Sequence, residues 1–197
     1  MDKSFYIITD IDSTFDGSVD DFNVFNESVE RLEEVVGDVS IYFASGTSSE
    51  HLKELLKWLE EYQPSVYSKV KGGVVADGYL SKNSTYTKKV MSSFEEKKVK
   101  ACDYLLYRIG VNEISGIVYM GDNKDDVEAM NYIKNFSDLF PFGTYGVMPA
   151  NSKYHIKPQA ADCLARNRRI KGCAEGLDRV TELITDKLLK DNSNTKN

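Results

Sequence analysis

Two carboxylates stand two positions apart at the end of the first apolar segment of the chain. Asp10 and Asp12 follow residues 5–9, whose sequence FYIIT is typical of a buried parallel strand. Ionised side chains at the end of a buried strand are costly in free energy unless a cation or a proton compensates their charge. The pair therefore indicates a cation site, with capping acids in a strand-ending turn as the alternative.

A second group of acids follows another apolar segment. The sequence GDNKDD occupies residues 121–126, directly after the segment GIVYM, and includes Asp122 and Asp126. If the two strands are neighbours in a parallel sheet, their carboxyl ends bring both acidic groups to one edge, where ligands of such sheets bind. Oxygen ligands of this kind suit Mg²⁺, which commonly shares its site with a substrate phosphate. For Asp122 alone, a helix N-cap is the alternative.

A hydroxyl, a glycine and a lysine supply groups that favour an anion. Ser45 and Gly46 follow the apolar segment 39–44 and precede a predicted helix, where a hydroxyl and unpaired backbone N–H groups can hold a phosphate. Most serine residues at such positions are simple N-caps. Lys98 lies in a charged stretch near the start of another predicted helix and could neutralise a phosphate or the acids. A solvated helix face is the alternative for this lysine.

The segments that position these residues alternate between apolar runs and amphipathic stretches. We predict strands in 5–9, 39–44, 116–120 and 144–148, and helices in 26–36, 48–62, 93–109, 124–133 and 173–190. Parallel strands joined by crossover helices account for this order, so the predicted fold class is α/β, an open and mostly parallel sheet with helices on both faces. Residues 66–90 contain paired glycines and a polar run, which predict short strands and a hairpin.

Length and composition limit the domain organisation and the partners. A chain of 197 residues predicts a single domain over 1–190, with 191–197 as a disordered tail. The net charge of −6 argues against a nucleic-acid partner, and no stretch approaches the roughly 20 apolar residues of a membrane helix. Three scattered cysteines fit a reducing, cytoplasmic location. His51 and His155 have no suitable companions in the sequence and are predicted to be surface or packing residues.

Taken in order, these features resemble the haloacid dehalogenase (HAD) superfamily of phosphohydrolases. The matching motifs are DIDST (10–14), ASG (44–46), Lys98 and GDNKDD (121–126). Three further segments are similar to the Cof-like branch of sugar-phosphate phosphatases, namely KVKACDYLLYRIGV (98–111), YGVMPANS (145–152) and RIKGCAEGLDRV (169–180). The resemblance implies a HAD/Rossmann-like core and the hydrolysis of a small phosphorylated metabolite such as a sugar phosphate.

The resemblance also implies a role for each matched residue. Asp10 would attack the phosphorus to form an aspartyl-phosphate, and Asp12 would serve as general acid and then general base. Mg²⁺ would be bound by the Asp10 carboxylate, the Asp12 backbone carbonyl, Asp122 and, directly or through water, Asp126. The transferring phosphoryl group would be held by Ser45, the Gly46 amide and Lys98. The candidates for further substrate contacts are Asn123, Asn151 and Arg169.

The chain departs from the Cof-like pattern where that branch inserts a cap domain. Only about 20 residues, from Gly78 to Lys97, separate the segment GGVVADG from the Lys98 motif, which is too short for a folded cap. We therefore predict a small β-hairpin stub over the site. A site without a full cap must admit a bulky substrate or be closed by a second subunit, so a homo-oligomer is expected. Ser13 also stands where these phosphatases usually have glycine.

Several functional alternatives stay open at this stage. Arg166, Arg168, Arg169 and Lys171 form a local basic cluster that could hold a second anionic group, or they could belong to an ordinary solvated loop. A phosphatase acting on a bulky or macromolecular ester, a phosphotransferase or phosphomutase, and a non-catalytic binding protein on the same fold are the alternatives to a metabolite phosphatase. The intact acidic pair argues against the binding protein.

Overall fold

The computed structural model describes residues 3–83, 85–88, 97–152 and 161–194. Its strands are β1 (Ser4–Thr9), β2 (Val39–Ala44), β3 (Val70–Val75), β4 (Gly78–Ser81), β5 (Tyr86–Lys88), β6 (Ile114–Met120), β7 (Thr144–Met148) and β8 (Cys163–Leu164). Its helices are α1 (Val19–Val36), α2 (Ser49–Tyr62), α3 (Pro64–Lys69), α4 (Lys97–Ile109), α5 (Lys124–Lys134) and α6 (Arg169–Asn194). The eight strands form one sheet in the order β5-β4-β3-β2-β1-β6-β7-β8.

The centre of the sheet is parallel, and β1 lies between β2 and β6. At the carboxyl end of β1, Thr9 pairs with Phe43 of β2 on one side and with Met120 of β6 on the other. The loops that follow these three strands therefore leave the sheet side by side. The predicted open, mostly parallel α/β sheet is confirmed, and the predicted neighbours β1 and β6 are hydrogen-bonded partners.

Alternate residues of β1 point into two separate apolar layers. Phe5 and Ile7 pack in the layer beneath α1, α2 and α6, whereas Tyr6 and Ile8 pack in the layer beneath α4 and α5. A strand that is buried on both faces is apolar at every position, which is why residues 5–9 carry no alternation of polar and apolar side chains. The helices on both faces of the sheet confirm the predicted layer arrangement.

Helix α1 begins seven positions earlier than predicted, at Val19 instead of Asn26. Ser18 and Asp21 form a capping box, in which each side chain accepts a hydrogen bond from the backbone N–H of the other residue. Phe22 and Phe25 are buried on this added part of the helix, so packing and capping together extend it. Only a short loop therefore separates the first acidic motif from α1.

The last helix also exceeds its predicted bounds. Helix α6 runs from Arg169 to Asn194, whereas the sequence predicts a helix over 173–190 and a disordered tail from 191. No glycine or proline in 191–194 interrupts the helix. Nη2 of Arg31 on α1 donates to Oδ1 and Oδ2 of Asp178 on α6, at 2.8 and 3.1 Å, and these hydrogen bonds connect the two helices. Residues 195–197 of the predicted tail lie outside the described part of the chain.

The predicted hairpin is present as β4 and β5, but its described strands extend the sheet and do not cover the site. Gly78 pairs with Val75 at the carboxyl end of β3, and Ser81 pairs with Gly72 near the amino end. The hairpin turn therefore points away from the edge where the acidic motifs meet. The expectation of a hairpin over the site is wrong for these strands, because antiparallel pairing with β3 fixes their direction. Residues 84 and 89–96 of the predicted stub lie outside the described chain.

The three cysteines are buried and none of them forms a disulfide. Burial raises the pKa of the thiol groups of Cys102, Cys163 and Cys173.

In the part of the chain that the structure describes, no helix combines the length and the apolar character that crossing a membrane requires.

Candidate active site

The site is built from loops that leave adjacent strands at one edge of the sheet. The backbone N–H of Asp10 donates to the carbonyl of Met120 at 2.9 Å, which continues the pairing of β1 with β6 by one residue. Likewise, the N–H of Ser45 donates to the carbonyl of Val74 at 3.0 Å. These bonds fix the first residue of each loop, so the side chains that begin the loops have defined positions. The sequence-predicted convergence of the motifs at one sheet edge is present in the structure.

Three carboxylates form a compact cluster at this edge. The cluster contains one carboxylate oxygen from each of Asp10, Asp122 and Asp126, and these three oxygens lie within 4.8 Å of one another. Asp10 is 3 % exposed and Asp126 is fully buried. Burial and then the charge of Asp10 raise the pKa of Asp122 and Asp126 above that of an ordinary carboxyl group. Close carboxylates in this environment are the oxygen ligands that Mg²⁺ prefers, and they fit such an ion.

Lys98 lies against two of these acids. Its Nζ is 2.7 Å from Oδ2 of Asp10 and 2.6 Å from Oδ1 of Asp126, and the side chain is almost fully buried. Burial alone lowers the pKa of Lys98, but the charges of Asp126 and Asp10 outweigh this effect and raise it. The ammonium group is therefore held in its charged form. When all three carboxylates are ionised, the charge of Lys98 balances only one of them. The remaining charge of −2 is the charge that one divalent cation would balance.

Both oxygens of Asp126 are occupied by hydrogen bonds. Oδ1 accepts from Lys98 and from the hydroxyl of Tyr119 at 2.9 Å, and Oδ2 accepts from the N–H groups of Asp122 and Asn123, each at 3.0 Å. These four bonds hold Lys98 and the start of α5 in place. From the sequence, Asp126 is predicted to contact the metal ion either directly or through a water molecule. Because both of its oxygens already accept hydrogen bonds, the contact through water is favoured. Asp10 and Asp122 remain as the carboxylates best placed to bind a metal ion directly.

Ser45 and Gly46 occupy the loop between β2 and α2. Ser45 is 6 % exposed, and its Oγ accepts a hydrogen bond from the N–H of Thr47 at 3.3 Å. Gly46 is exposed, and a Cβ atom added to it would have no neighbour within 4 Å. The backbone at Gly46 is therefore open to the approach of a phosphate.

Asp12 lies apart from the acidic cluster, on the rim of the site. Its side chain is 66 % exposed, and its Oδ1 is 3.8 Å from Nε2 of His51, which is 50 % exposed. His51 is a surface residue, as predicted, but the expectation that it lacks a companion is wrong, because the parallel pairing of β1 and β2 places the start of α2 beside the Asp10–Thr14 loop. The sequence separation of 39 positions hides this contact. His155 lies outside the described residues.

Comparison with solved structures identifies the fold. A haloacid dehalogenase-like hydrolase from Bacteroides thetaiotaomicron aligns with 90 % of this chain and all of its own, at a TM-score of 0.58 and 13 % identity. A HAD/COF-like hydrolase from Plasmodium vivax aligns with 90 % of this chain and 95 % of its own, at a TM-score of 0.53 and 13 % identity. No protein-family model and no curated protein sequence matches the chain.

The chain has a HAD fold. A third solved structure, the C-terminal domain of a Candida albicans trehalose synthase regulatory protein, aligns with 90 % of this chain and 94 % of its own, at a TM-score of 0.56 and 12 % identity. At these identities the likeness establishes the fold alone, and the chemistry of the HAD core depends on the residues described above.

Asn151 joins three loops of the HAD core. Its Nδ2 donates to the carbonyl of Ser13 at 2.7 Å and to Oδ2 of Asp122 at 3.0 Å, and its Oδ1 accepts from the N–H of Arg169 at 2.8 Å. Ser13 and Arg169 have φ angles of 60° and 55°, in the left-handed region that favours glycine. Glycine adopts this backbone conformation most easily, and the two bonds of Asn151 help to hold it at Ser13 and Arg169.

The predicted substrate contacts have different roles in the structure. Asn123 is the N-cap of α5, and its Oδ1 accepts from the N–H groups of Asp125 and Asp126. The side-chain oxygen of Asn123 therefore stabilises the helix start, whereas Asn151 and Arg169 lie at the rim.

The predicted basic cluster is divided between two surfaces. Arg168, Arg169 and Lys171 line a cleft of about 620 Å³ beside Asp16, and Arg169 Nη1 is 3.2 Å from Oδ2 of Asp16. Burial raises the pKa of Asp16, although the charge of Arg169 opposes this effect. Arg166 lines a different cleft, next to Cys163 and Glu175. The four cations therefore do not form the single patch that the sequence predicts.

Proposed function

We propose that this chain is a Mg²⁺-dependent phosphomonoester hydrolase that acts through an aspartyl-phosphate intermediate. The observation that carries the proposal is the buried carboxylate of Asp10, which lies at the end of β1 against Lys98 and beside Asp122. A nucleophile at this position splits a difficult displacement into two easier steps.

In the first step, an oxygen of Asp10 forms a bond to the phosphorus while the bond from phosphorus to the leaving oxygen breaks. Asp12 donates its proton to that leaving oxygen. In the second step, a water oxygen attacks the phosphorus, the bond to Asp10 breaks, and Asp12 takes a proton from the water. Inorganic phosphate leaves and both carboxyl groups return to their starting states.

The remaining residues position and neutralise the transferring phosphoryl group. Lys98 stays charged because of its two carboxylate neighbours, and Ser45 and the open backbone at Gly46 supply hydrogen-bond donors. Positioning and charge neutralisation contribute most of the catalysis in phosphoryl transfer.

Mg²⁺ would be held by Asp10, Asp122 and the backbone carbonyl of Asp12, with Asp126 acting through water, and it would neutralise charge on the phosphoryl oxygens. The proximity of carboxylate oxygens of Asp10 and Asp122 to one another supports this assignment, because both can contact the same cation.

The substrate we propose is a small phosphate ester such as a sugar phosphate, handled in the cytoplasm. The 66 % exposure of Asp12 favours, as a second candidate, a phosphatase that acts on a bulky ester, because the rim near this residue is open. A second copy of the chain that covers the rim would restore selectivity for small substrates. Light scattering distinguishes these cases, since a strict monomer favours the bulky ester.

Release of phosphate from p-nitrophenyl phosphate tests the activity. We expect turnover with Mg²⁺, none with EDTA, and none for Asp10→Asn. Asp138→Asn is the matched control, because Asp138 is an exposed aspartate in the connection before β7, at the opposite edge of the sheet. A folded, Mg²⁺-loaded protein that releases no phosphate from a broad panel of esters would favour a binding protein instead. Transfer of the phosphoryl group to an added alcohol in place of water would identify a phosphotransferase.

A further inference from the structure

The imidazole of His51 lies beside the carboxyl group of Asp12 at the mouth of the site. The distance of 3.8 Å between Nε2 and Oδ1 lies within the range of an ion pair and beyond that of a direct hydrogen bond. Both side chains are at least half exposed, so they have room to move. A shift of about 1 Å brings the two atoms to hydrogen-bond distance.

His51 is attached to a firmly held part of the chain. The Oγ of Ser48, the N-cap of α2, accepts a hydrogen bond from the backbone N–H of His51 at 3.3 Å. The neighbouring Ser49 donates from its N–H and its hydroxyl to the carboxylate of Asp77, at 2.9 and 2.7 Å. These contacts fix the first turn of α2 to the loop after β3. The backbone of His51 is therefore held in place, and its side chain can restrain a more mobile partner.

Asp12 is such a partner. Its exposed carboxyl group must lose rotational freedom before it can donate a proton to one particular oxygen. A contact from Nε2 of His51 to Oδ1 restricts the Asp12 carboxyl group to one orientation and leaves its other oxygen free to carry the proton.

We propose that His51 is a positioning residue that holds the carboxyl group of Asp12 toward the leaving oxygen and, in the second step, toward the attacking water. The proposal rests on the proposed phosphatase activity. His51 makes no bond to phosphorus and takes no proton from the substrate in this role. It raises the fraction of the enzyme in which Asp12 is correctly oriented.

Two esters that differ in their need for a proton test this role. In p-nitrophenyl phosphate the phenolate departs without protonation, whereas the alkoxide of β-glycerol phosphate needs a proton from Asp12. First-turnover rates, measured by rapid quench, isolate the formation of the aspartyl-phosphate. For His51→Ala we expect an unchanged first turnover with the phenyl ester and a decrease of about tenfold with the alkyl ester, a part of the 10²–10⁴-fold effect of general acid catalysis. Later turnovers should slow for both esters, because Asp12 must also take a proton from water.

Two further variants make the test specific. His51→Gln keeps an N–H donor of similar reach and should recover most of the alkyl-ester rate. Lys53→Ala, on an exposed position of the same helix, should leave both first turnovers unchanged. An equal loss with both esters, or no loss with either, would overturn the positioning role. An inactive wild-type protein would instead overturn the proposed phosphatase activity.

Discussion

The hydroxyl of Tyr119 donates a hydrogen bond to Oδ1 of Asp126 at 2.9 Å, and both side chains are completely buried. The same oxygen lies 2.6 Å from Nζ of Lys98. Two donors on one oxygen hold the carboxylate in a single orientation, and the carboxylate in turn holds the lysine. Tyr119 thus stabilises the site from within the sheet, as one of the largest fully buried side chains of the described core.

Replacing Tyr119 with phenylalanine should destabilise the protein while preserving its packing. The change removes a hydrogen bond to a buried carboxylate, and such bonds contribute about 1.5–3 kcal/mol. We expect the free energy of unfolding in urea, followed by circular dichroism, to fall by about this amount. The control is Tyr107→Phe, since Tyr107 is 86 % exposed and the substitution should change little. Equal stability of Tyr119→Phe and wild type would show that the hydroxyl does not contribute.

Asn151→Ala should loosen the junction of three loops. The substitution leaves the carbonyl of Ser13, a carboxylate oxygen of Asp122 and the N–H of Arg169 without their shared partner. We expect a loss of about 1–2 kcal/mol in the free energy of unfolding and weaker Mg²⁺ binding in calorimetric titrations. Asn131→Ala, on the exposed face of α5, provides the control. Unchanged Mg²⁺ affinity would mean that Asp122 keeps its position without Asn151.

Gly121→Ala should be far more damaging than Gly46→Ala. A Cβ atom at Gly121 would overlap the carboxyl group of Asp126, whereas a Cβ atom at Gly46 would meet nothing within 4 Å. We expect Gly121→Ala to lower the melting temperature by more than about 5 °C and to abolish phosphatase activity. Gly46→Ala should melt like the wild type. If both variants melt alike, the contact of Gly121 with Asp126 does not constrain the fold.

The stability of the metal-free protein should depend on pH through Asp122. Burial and the charge of Asp10 raise the pKa of this carboxyl group in the folded state. Between the unfolded value of about 3.9 and the raised folded value, the folded protein binds more protons than the unfolded chain. The contribution of Asp122 to stability is therefore fully present below the unfolded pKa and is lost as the pH rises through the folded pKa.

Melting temperatures at a series of pH values, with and without Mg²⁺, measure this effect. Asp122→Asn should reduce the loss of stability with rising pH in the metal-free protein, and it should also reduce the stabilisation by Mg²⁺ near neutral pH. Identical pH profiles for the variant and the wild type would contradict the assignment of the raised pKa to Asp122.

The fold and the central acids are predictable because their signals are local. An apolar run that ends in aspartate, as at Asp10 and Asp122, identifies both a buried strand and the residue that leaves it. Parallel topology then brings the ends of β1 and β6 together without any knowledge of side-chain packing. Lys98 is found by its motif spacing, and the structure places it against Asp10.

The contacts that the sequence does not predict depend on geometry between distant elements. Tyr119 and Asp126 meet because one residue lies in a strand and the other on the first turn of the next helix. His51 reaches Asp12 through the pairing of β1 with β2. The direction of the β4–β5 hairpin is also undetermined by the sequence, because a hairpin of this length can extend a sheet edge or cross above it. A tyrosine in a strand that is buried at every position is a local sign that its hydroxyl has a buried polar partner.

The burial of all three cysteine thiols makes the chain suitable for site-specific labelling. Because the native thiols are buried and their pKa is raised, they should resist maleimide reagents under conditions in which an exposed cysteine reacts. A reporter fluorophore introduced on the first turn of α1 or on the exposed surface of α2 can therefore follow ligand entry at the rim, with the wild-type cysteines left in place.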